Sequence, residues 1–541
     1  MNPTFSAQMN WQQRCEQIYA NLLESGKRSV RAVATATGIS KSSVHRHMQA
    51  ISRRHQYPES PLWEHQSGSQ WLCRLVWAVI YVFGIKRGIG NETLSEFFHL
   101  VRLEGRIGVS PNALQRMRAQ IEQQILNYRD EQHEQLQQSA TQVEVCLGAD
   151  ETFFEQMVLV LLDLPSGYIF VESQATARDD QTWLERVQQA LGSIARVKYL
   201  VSDRAQALVK LALEGLDCCS IPDLFHALRD LNRQIGSPLA LQLSRLVKQL
   251  SQAQETLSRM QVQGKPTQAQ QAKVTQLKTQ LSQLQSTQEC YHNLIHQLSL
   301  SLHPFAIDGS GFQGATEVKA SLLQHLQALG ELAYSDRLPK LPEAVNKFSA
   351  QVSGMAAGVH AWWSWVLHNL GTQSVCPQMS NWVLSCLLPV VYWQQQMDKT
   401  KTPALKQAYH SALAQAQLTY HHDSVTKSLS TESLQYWWSW AEWMVSKFQR
   451  TSSPVEGRNS YLSRIHHSAR GLSASRLQVL TVIHNFDLKR SDGSTAAQRL
   501  FGRQFPNLFD YLIEHMGDLP QPRKTRKTVP VQNAILHSVP A

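Results

Sequence analysis

Between residues 142 and 231 the apolar positions alternate over short runs, whereas elsewhere they recur every three to four residues. The alternating window predicts strands over Val143–Leu147, Met157–Asp163 and Tyr168–Glu172, with Pro165-Ser166-Gly167 as a tight turn. A helix over Asp180–Leu191 follows, with Trp183, Leu184, Val187 and Leu191 on one face. Val197–Val201 reads as a fourth strand ending in Ser202-Asp203. Ala205–Leu213 reads as a helix and Cys218–Ile221 as a fifth strand, after which Pro222-Asp223 opens another helix.

After His226 the pattern is helical to about residue 450. Leu243, Leu246, Leu250, Ala253, Leu257 and Met260 are spaced alternately three and four apart. Gly264-Lys265-Pro266 interrupts them, and Val274, Leu277, Leu281, Leu284, Tyr291, Ile295 and Leu298 resume the series. Two heptad seams about a turn predict an antiparallel coiled-coil hairpin over 238–300, with glutamines on its solvated face. Trp362, Trp363, Trp365, Trp382, Trp393, Trp437, Trp438, Trp440 and Trp443 have helical spacing and read as core.

At the other end, Trp11–Leu23, Val30–Thr37 and Lys41–Ile51 predict three short helices. Ala34 allows a close helix crossing, Gly38 supplies the turn and Ser40 is placed to cap the third helix. This is a helix-turn-helix pattern, and its third helix would present Lys41, Ser42, Ser43, His45 and Arg46 to a DNA major groove. His55–Pro61 reads as a linker, and residues 62–137 as helices interrupted by Gly84, Gly88 and Gly90.

Charge sharpens that picture. The 541 residues carry a formal net charge of +10. Residues 1–58 hold eight Lys or Arg against Glu16 and Glu24, a net of +6, so more than half the excess lies in the first helices. A basic excess placed this way points to nucleic acid as the partner. The eight cysteines include no C-x-x-C pair, which argues against a disulfide scaffold or zinc ribbon and fits a cytoplasmic, nucleoid-associated protein. Leu75–Gly84 is apolar but too short to span a bilayer, and no membrane association is expected.

The candidate chemistry starts at Val145–Phe154, V-C-L-G-A-D-E-T-F-F, where an apolar run stops at Asp150. Asp203 stands at the end of the fourth strand. If those strands are neighbours, the two carboxylates converge, as Mg2+ requires. Glu151 points to the other side of the extended chain and is set aside. Thr451–Leu472 is dense in Arg, His, Ser and Asn around a single acid, Glu456, with Ser452 or Ser453 placed to start its helix.

These stretches carry a resemblance. G-A-D-E-T-F at Asp150, V-S-D-R-A at Asp203, P-D-L-F-H-A-L-R-D-L at Pro222–Leu231 and S-P-V-E-G-R-N-S-Y-L around Glu456 are similar to insertion-sequence DDE transposases with an RNase H-like, integrase-type catalytic domain. The order of three tightly connected strands, then helix, strand, helix, strand, agrees with that fold. The resemblance implies a catalytic, metal-binding triad of Asp150, Asp203 and Glu456, holding two Mg2+ ions, with Mn2+ able to substitute. Asp223 and His226 resemble a C/D-x-x-H signature that supports such sites or contacts flanking DNA. Glu456 is preferred over Glu432 and Glu442 because Arg458 and Asn459 beside it suit phosphate and base contacts. Arg464 and Arg470 are further DNA-binding candidates.

The 253 residues between Asp203 and Glu456 (456 − 203) imply a large helical insertion into the catalytic core. The expected organisation is multi-domain α/β plus all-α. Residues 1–56 form the helix-turn-helix domain, 62–137 a helical bridge, and 142–231 the first part of the core. Residues 232–450 form the insertion, 451–516 the last part of the core with the glutamate helix, and 517–541 a basic tail. The expected function is binding of terminal inverted repeats in double-stranded DNA, then Mg2+-dependent strand cleavage and transfer, by a homodimer in the DNA complex. The alternatives are a DNA-binding regulator that has lost catalysis and a structure-selective nuclease that cuts without joining.

Overall fold

The computed structural model describes residues 11–25, 29–54, 62–63, 65–138, 142–332, 338–469 and 471–522. The chain is mixed α/β and mostly helical, with one five-stranded mixed sheet. Helices α1 (Trp11–Ser25), α2 (Val30–Thr37) and α3 (Lys41–Arg54) come first, then α4 (Gln66–Val79), α5 (Asn91–Leu100) and α6 (Pro111–Gln137). Strands β1 (Val143–Phe153), β2 (Met157–Asp163) and β3 (Ile169–Ala175) follow. Next come α7 (Asp180–Leu191), β4 (Ala195–Ser202), α8 (Gln206–Lys210), β5 (Cys219–Pro222) and α9 (Leu224–Leu231). The helical stretch holds α10 (Ser237–Val262), α11 (Gln268–Ser301), α12 (Ala315–Gly330), α13 (Leu341–Thr372), α14 (Pro377–Trp382), α15 (Leu388–Lys399), α16 (Pro403–His422), α17 (Ser424–Ser428) and α18 (Thr431–Ser446). Helices α19 (Ser453–Ala469), α20 (Ala474–Phe486), α21 (Ala496–Phe501) and α22 (Leu508–His515) close the chain.

The chain divides into two compact units. One comprises Met1–Glu134, Ser463–Arg490 and Gln504–Ala541, and the other Gln135–Leu462 and Ser491–Arg503. In the first, α1–α3 close around Ile18, Val33, Val44 and Ile51. Ser29 caps α2 by accepting from the Ala32 N–H, and Gly38 ends it in the left-handed region at φ 68°. Helix α4 continues through a π-helical turn, Ile80–Lys86, so the apolar run is longer than the stretch expected from sequence. Gln66–Lys86 is long and apolar enough to cross a membrane by length and composition alone, but Val76, Ile80 and Ile85 within it are fully buried against protein. The early helices pack with the late ones in this unit: Lys86 pairs with Asp487 at 2.6 Å and Tyr128 donates to the Pro506 carbonyl at 2.7 Å.

The second unit is built on the sheet, with strand order β3-β2-β1-β4-β5. The first three strands run antiparallel, and β4 and β5 continue parallel to β1. Strand β1 is longer than its apolar run. It stays paired with β2 through Phe153 but leaves β4 after the Gly148–Val201 pair. Asp150 therefore sits on paired backbone just beyond the point where the parallel strands part.

The two faces of β1 meet different partners. On the face of Cys146, Gly148 and Asp150, the Cys146 thiol and Tyr199 hydroxyl lie on the Lys447 carbonyl, and α19 packs over the strand. On the opposite face, Glu151 accepts from the Trp183 indole of α7 at 3.2 Å. A Cβ on Gly148 would come within 2.5 Å of Leu164 and 3.1 Å of Val455, so the absent side chain is what lets α19 settle there.

The long helical stretch forms the expected hairpin, α10 against α11, with Ala253, Val274 and Leu277 buried between them. It also covers the sheet. A Cβ on Gly358 of α13 would lie 2.9 Å from Ile221 of β5, and Trp365 donates to Glu144 of β1 at 2.8 Å. Trp362, Trp365, Trp382, Trp393 and Trp437 are buried, as their spacing suggests, whereas Trp363, Trp438 and Trp440 are half-buried and Trp443 is exposed. Arg450 ties this stretch to the sheet domain. Its guanidinium reaches the Ser299 carbonyl, buried His303 and Tyr409, and its own carbonyl accepts from Leu224 N at the start of α9.

Gly148→Ala is expected to lower unfolding stability by about 1–3 kcal/mol, the usual cost of an added methyl in a filled core. Urea denaturation read by tryptophan fluorescence measures it.

Candidate metal centre

Asp150 accepts a hydrogen bond from the Asn459 amide of α19 at 3.0 Å, across 309 positions of sequence. One ligand atom from each of Asp150, His226 and Glu456 lies within 4.8 Å of the other two. Three distant segments, β1, α9 and α19, supply this cluster.

Asp223 organises two of the three. It is almost wholly buried and caps α9, accepting from Phe225 N at 2.7 Å and His226 N at 3.4 Å. Its other oxygen accepts from His226 Nδ1 at 2.9 Å, from Ser452 N at 2.9 Å and from the Ser452 hydroxyl. One carboxylate thus starts α9, orients the histidine ring and fixes the residue before α19. The ring's free end then reaches Glu456, with His226 Nε2 3.1 Å from Oε1. Arg229 Nη1 stands 3.8 Å from the same oxygen.

A second anchor holds α19 one turn along. Arg458 gives Glu172 of β3 two hydrogen bonds of 2.6 Å, through Nε and Nη2, and both side chains are essentially excluded from solvent. Glu172 pairs with Val160, which pairs with Asp150, so the ion pair and Asp150 share one row and one face of the sheet.

The electrostatics follow from gathering acids in a half-buried place. Burial, and then the negative charges of Glu456 and Asp203, push the Asp150 carboxyl up to about 7, with His226 opposing them. Burial alone would raise Asp223, but the hydrogen bonds from His226 and Ser452 hold it below the ordinary carboxylate range. The bond to Asp223 raises His226. Both ring nitrogens face carboxylates, which only accept, so the protonated imidazolium suits the position.

This donor set fits a divalent cation. Asp150 and Glu456 offer hard carboxylate oxygens, and the Asn459 Oδ1 beside them is buried without a hydrogen-bond partner. Asp203 stands apart from the compact cluster. It follows β4, is exposed, and spends Oδ1 on the Ala205 N–H at 2.9 Å. Its charge is nevertheless felt at Asp150.

Two sequence expectations are corrected. Arg458 is not available to phosphate, because its guanidinium is buried on Glu172. Ser43 is 6% exposed and packs inward with Val44, whereas Lys41, Ser42, His45 and Arg46 form the exposed face of α3. Gln49, also exposed, extends that face and bonds His45 at 3.0 Å. Arg464 is exposed, and Arg470 lies outside the described residues. Glu432 is exposed in the first turn of α18, and Glu442 accepts from the Trp438 indole at 3.0 Å. The sequence marks Ser452 as a start of the Glu456 helix but not its bond to Asp223, and it does not mark Glu172 as a support of α19. The signal for Glu172 was an acid directly after the apolar Ile169-Phe170-Val171 of a strand, which, if buried, calls for a cation.

Residues 383–528 match the model of a family of unknown function (DUF6399). The match takes in Glu456 but neither Asp150 nor His226. No curated protein matches the chain.

Two outcomes test this geometry. Arg458→Met strands a buried carboxylate and is expected to cost about 3–5 kcal/mol, while Arg458→Met combined with Glu172→Leu regains most of that loss; chemical denaturation of both variants decides. Asp150 has its folded pKa raised from 3.8 to about 7, so the folded chain holds that proton more tightly than the unfolded one. The metal-free protein should therefore lose stability as pH rises from about 4 to about 7, and Asp150→Asn should flatten the decline in melting temperature across that window.

Proposed function

We propose that this chain is a DNA transposase that binds double-stranded element ends and cuts and joins DNA strands at the Asp150–Glu456 cluster, with Asp203 as the third acid. The observation that carries the reading is the convergence of Asp150, His226 and Glu456 from three distant segments. The sheet order β3-β2-β1-β4-β5, antiparallel and then parallel, supports an RNase H-like core. Asp203 follows the parallel strand next to β1, on the side where Asp150 emerges. The three-helix cluster with exposed Lys41, Ser42, His45 and Arg46 supports a helix-turn-helix that reads the DNA end.

In this reading Asp150, Glu456 and Asp203 would hold Mg2+ ions. Bound there, the ions would supply Lewis-acid activation of a water or 3′-hydroxyl and stabilisation of the leaving oxygen. The protein's own groups set the geometry. Asn459 holds the Asp150 carboxylate, Asp223 holds His226, and His226 keeps a proton against Glu456. Arg458 serves the site only by fixing α19. The place of Asp203 outside the compact cluster and its bond from Ala205 favour a non-catalytic DNA-binding protein, although the bond occupies only one of the two carboxylate oxygens.

The test uses purified full-length protein, Mg2+ or Mn2+, and a plasmid carrying the genomic DNA that flanks the reading frame. The wild type should produce strand breaks and joined products, and Asp150→Asn, Asp203→Asn and Glu456→Gln should each fall to the no-protein background. Breaks without joining would favour the nuclease, and equal activity in all four proteins would remove the triad. Saturating Mn2+ should also raise the wild-type melting temperature, by about 2.7 kcal/mol of stability at a hundredfold excess over Kd, and leave Asp150→Asn unmoved.

A further inference from the structure

The cluster has a neighbour that its supports do not explain. Phe225, in the first turn of α9, is 44% exposed although it adjoins the buried Asp223. Its ring stands edge-on to His226, with centroids 5.7 Å apart. The Arg229 guanidinium, one turn on, lies 5.7 Å from the Phe225 ring centre and 3.8 Å from Glu456, and its side chain is 55% exposed. Glu456, His226, Phe225 and Arg229 therefore form one continuous surface leading from the carboxylates to solvent. An open aromatic face beside an open guanidinium is the chemistry that single-stranded nucleic acid uses: every base stacks on a ring, and every phosphate pairs with a cation.

Resting on the reading of the cluster as a DNA-processing site, we propose that Phe225 and Arg229 seat the unpaired end of the DNA strand being processed. The Phe225 ring stacks on the terminal base, and Arg229 pairs with the adjacent phosphate. A base held there is pulled out of its duplex, which leaves the neighbouring phosphodiester beside Asp150 and Glu456. The short spacing between Arg229 and Glu456 gives the guanidinium a resting partner when no strand is present. It also keeps the positive charge at the rim, where a phosphate enters. Asp223 fixes the start of α9, and His226 and Arg229 flank the Phe225 ring.

The probe is a short oligodeoxythymidine with 2-aminopurine at its 3′ end, bound to full-length protein in EDTA so that no turnover occurs. Stacking should quench the 2-aminopurine emission. Phe225→Leu, which keeps an apolar side chain without a π face, should lose the quench and weaken binding roughly tenfold, within the range for one base–aromatic stack. Phe225→Trp should restore both. Arg229→Gln should lower the slope of log affinity against log salt by about 0.7, the value for one phosphate contact on a single strand. Basic surfaces elsewhere bind the strand equally in all variants, so the differences isolate this seat. Wild-type quench and affinity in Phe225→Leu would overturn the proposal. Asp150→Asn should keep the quench while losing the Mn2+ response. A Phe225-dependent quench in a wild type that shows no Mn2+ response would support the seat and refute the metal-dependent reading of the cluster.

Discussion

The arrangement depends on a buried ion pair. Arg458 and Glu172 have left water almost completely, and such a pair is tolerated only when both hydrogen bonds are well made. A pair of this kind is a poor source of net stability but a strong constraint on register, because neither charge can be left alone. Sliding α19 by one residue would strand both. With Arg458 fixed on β3, Glu456 and Asn459 are held over β1 on the same helix. Gly148 allows the contact to be close, and Ser452 on Asp223 sets where the helix begins.

The acids so gathered are electrostatically unfavourable in the protein alone. Asp150 shows the cost in its raised pKa, and the surroundings offset only part of it. Asn459 donates one hydrogen bond, and His226 brings a positive charge whose own partner, Asp223, is buried. The cluster, with the buried Asn459 Oδ1 unpaired beside it, gathers groups that could hold a cation. The same reasoning separates the acids by role. Asp223 is fully engaged by protein donors and is kept ionised as a support. Glu151, on the other face, accepts a hydrogen bond from the Trp183 indole.

The long helical stretch is part of the same construction. Helix α13 lies over β5 and reaches β1 through Trp365, and Arg450 joins the end of α11 to the start of α9. A loop could span from β5 to α19, but it would not fix the angle at which α19 enters. Packed helices that carry a buried histidine, tyrosines and an arginine do so, because each polar group must keep its partner.

Local sequence signals set the elements. The alternation of β2, the one-sided apolar face of α7 and the heptads of α10 and α11 each report which side of a short segment must be buried, and that information is local. Asp150 and Glu456 were legible as unusual acids, one at the end of an apolar run and one alone in a basic stretch. Which residues support them was not legible. Arg458 and Glu172 lie 286 positions apart, and nothing nearby in sequence distinguishes an arginine that will meet phosphate from one that will be buried on a carboxylate. The inward place of Ser43 is hidden for a similar reason: a small polar side chain carries no local mark of the face it occupies. The sequence by itself determined the strands, the helices and the acids. The tertiary structure alone decided which charges are spent on holding α19 and which remain at the cluster, because that choice is made by long-range pairing and desolvation.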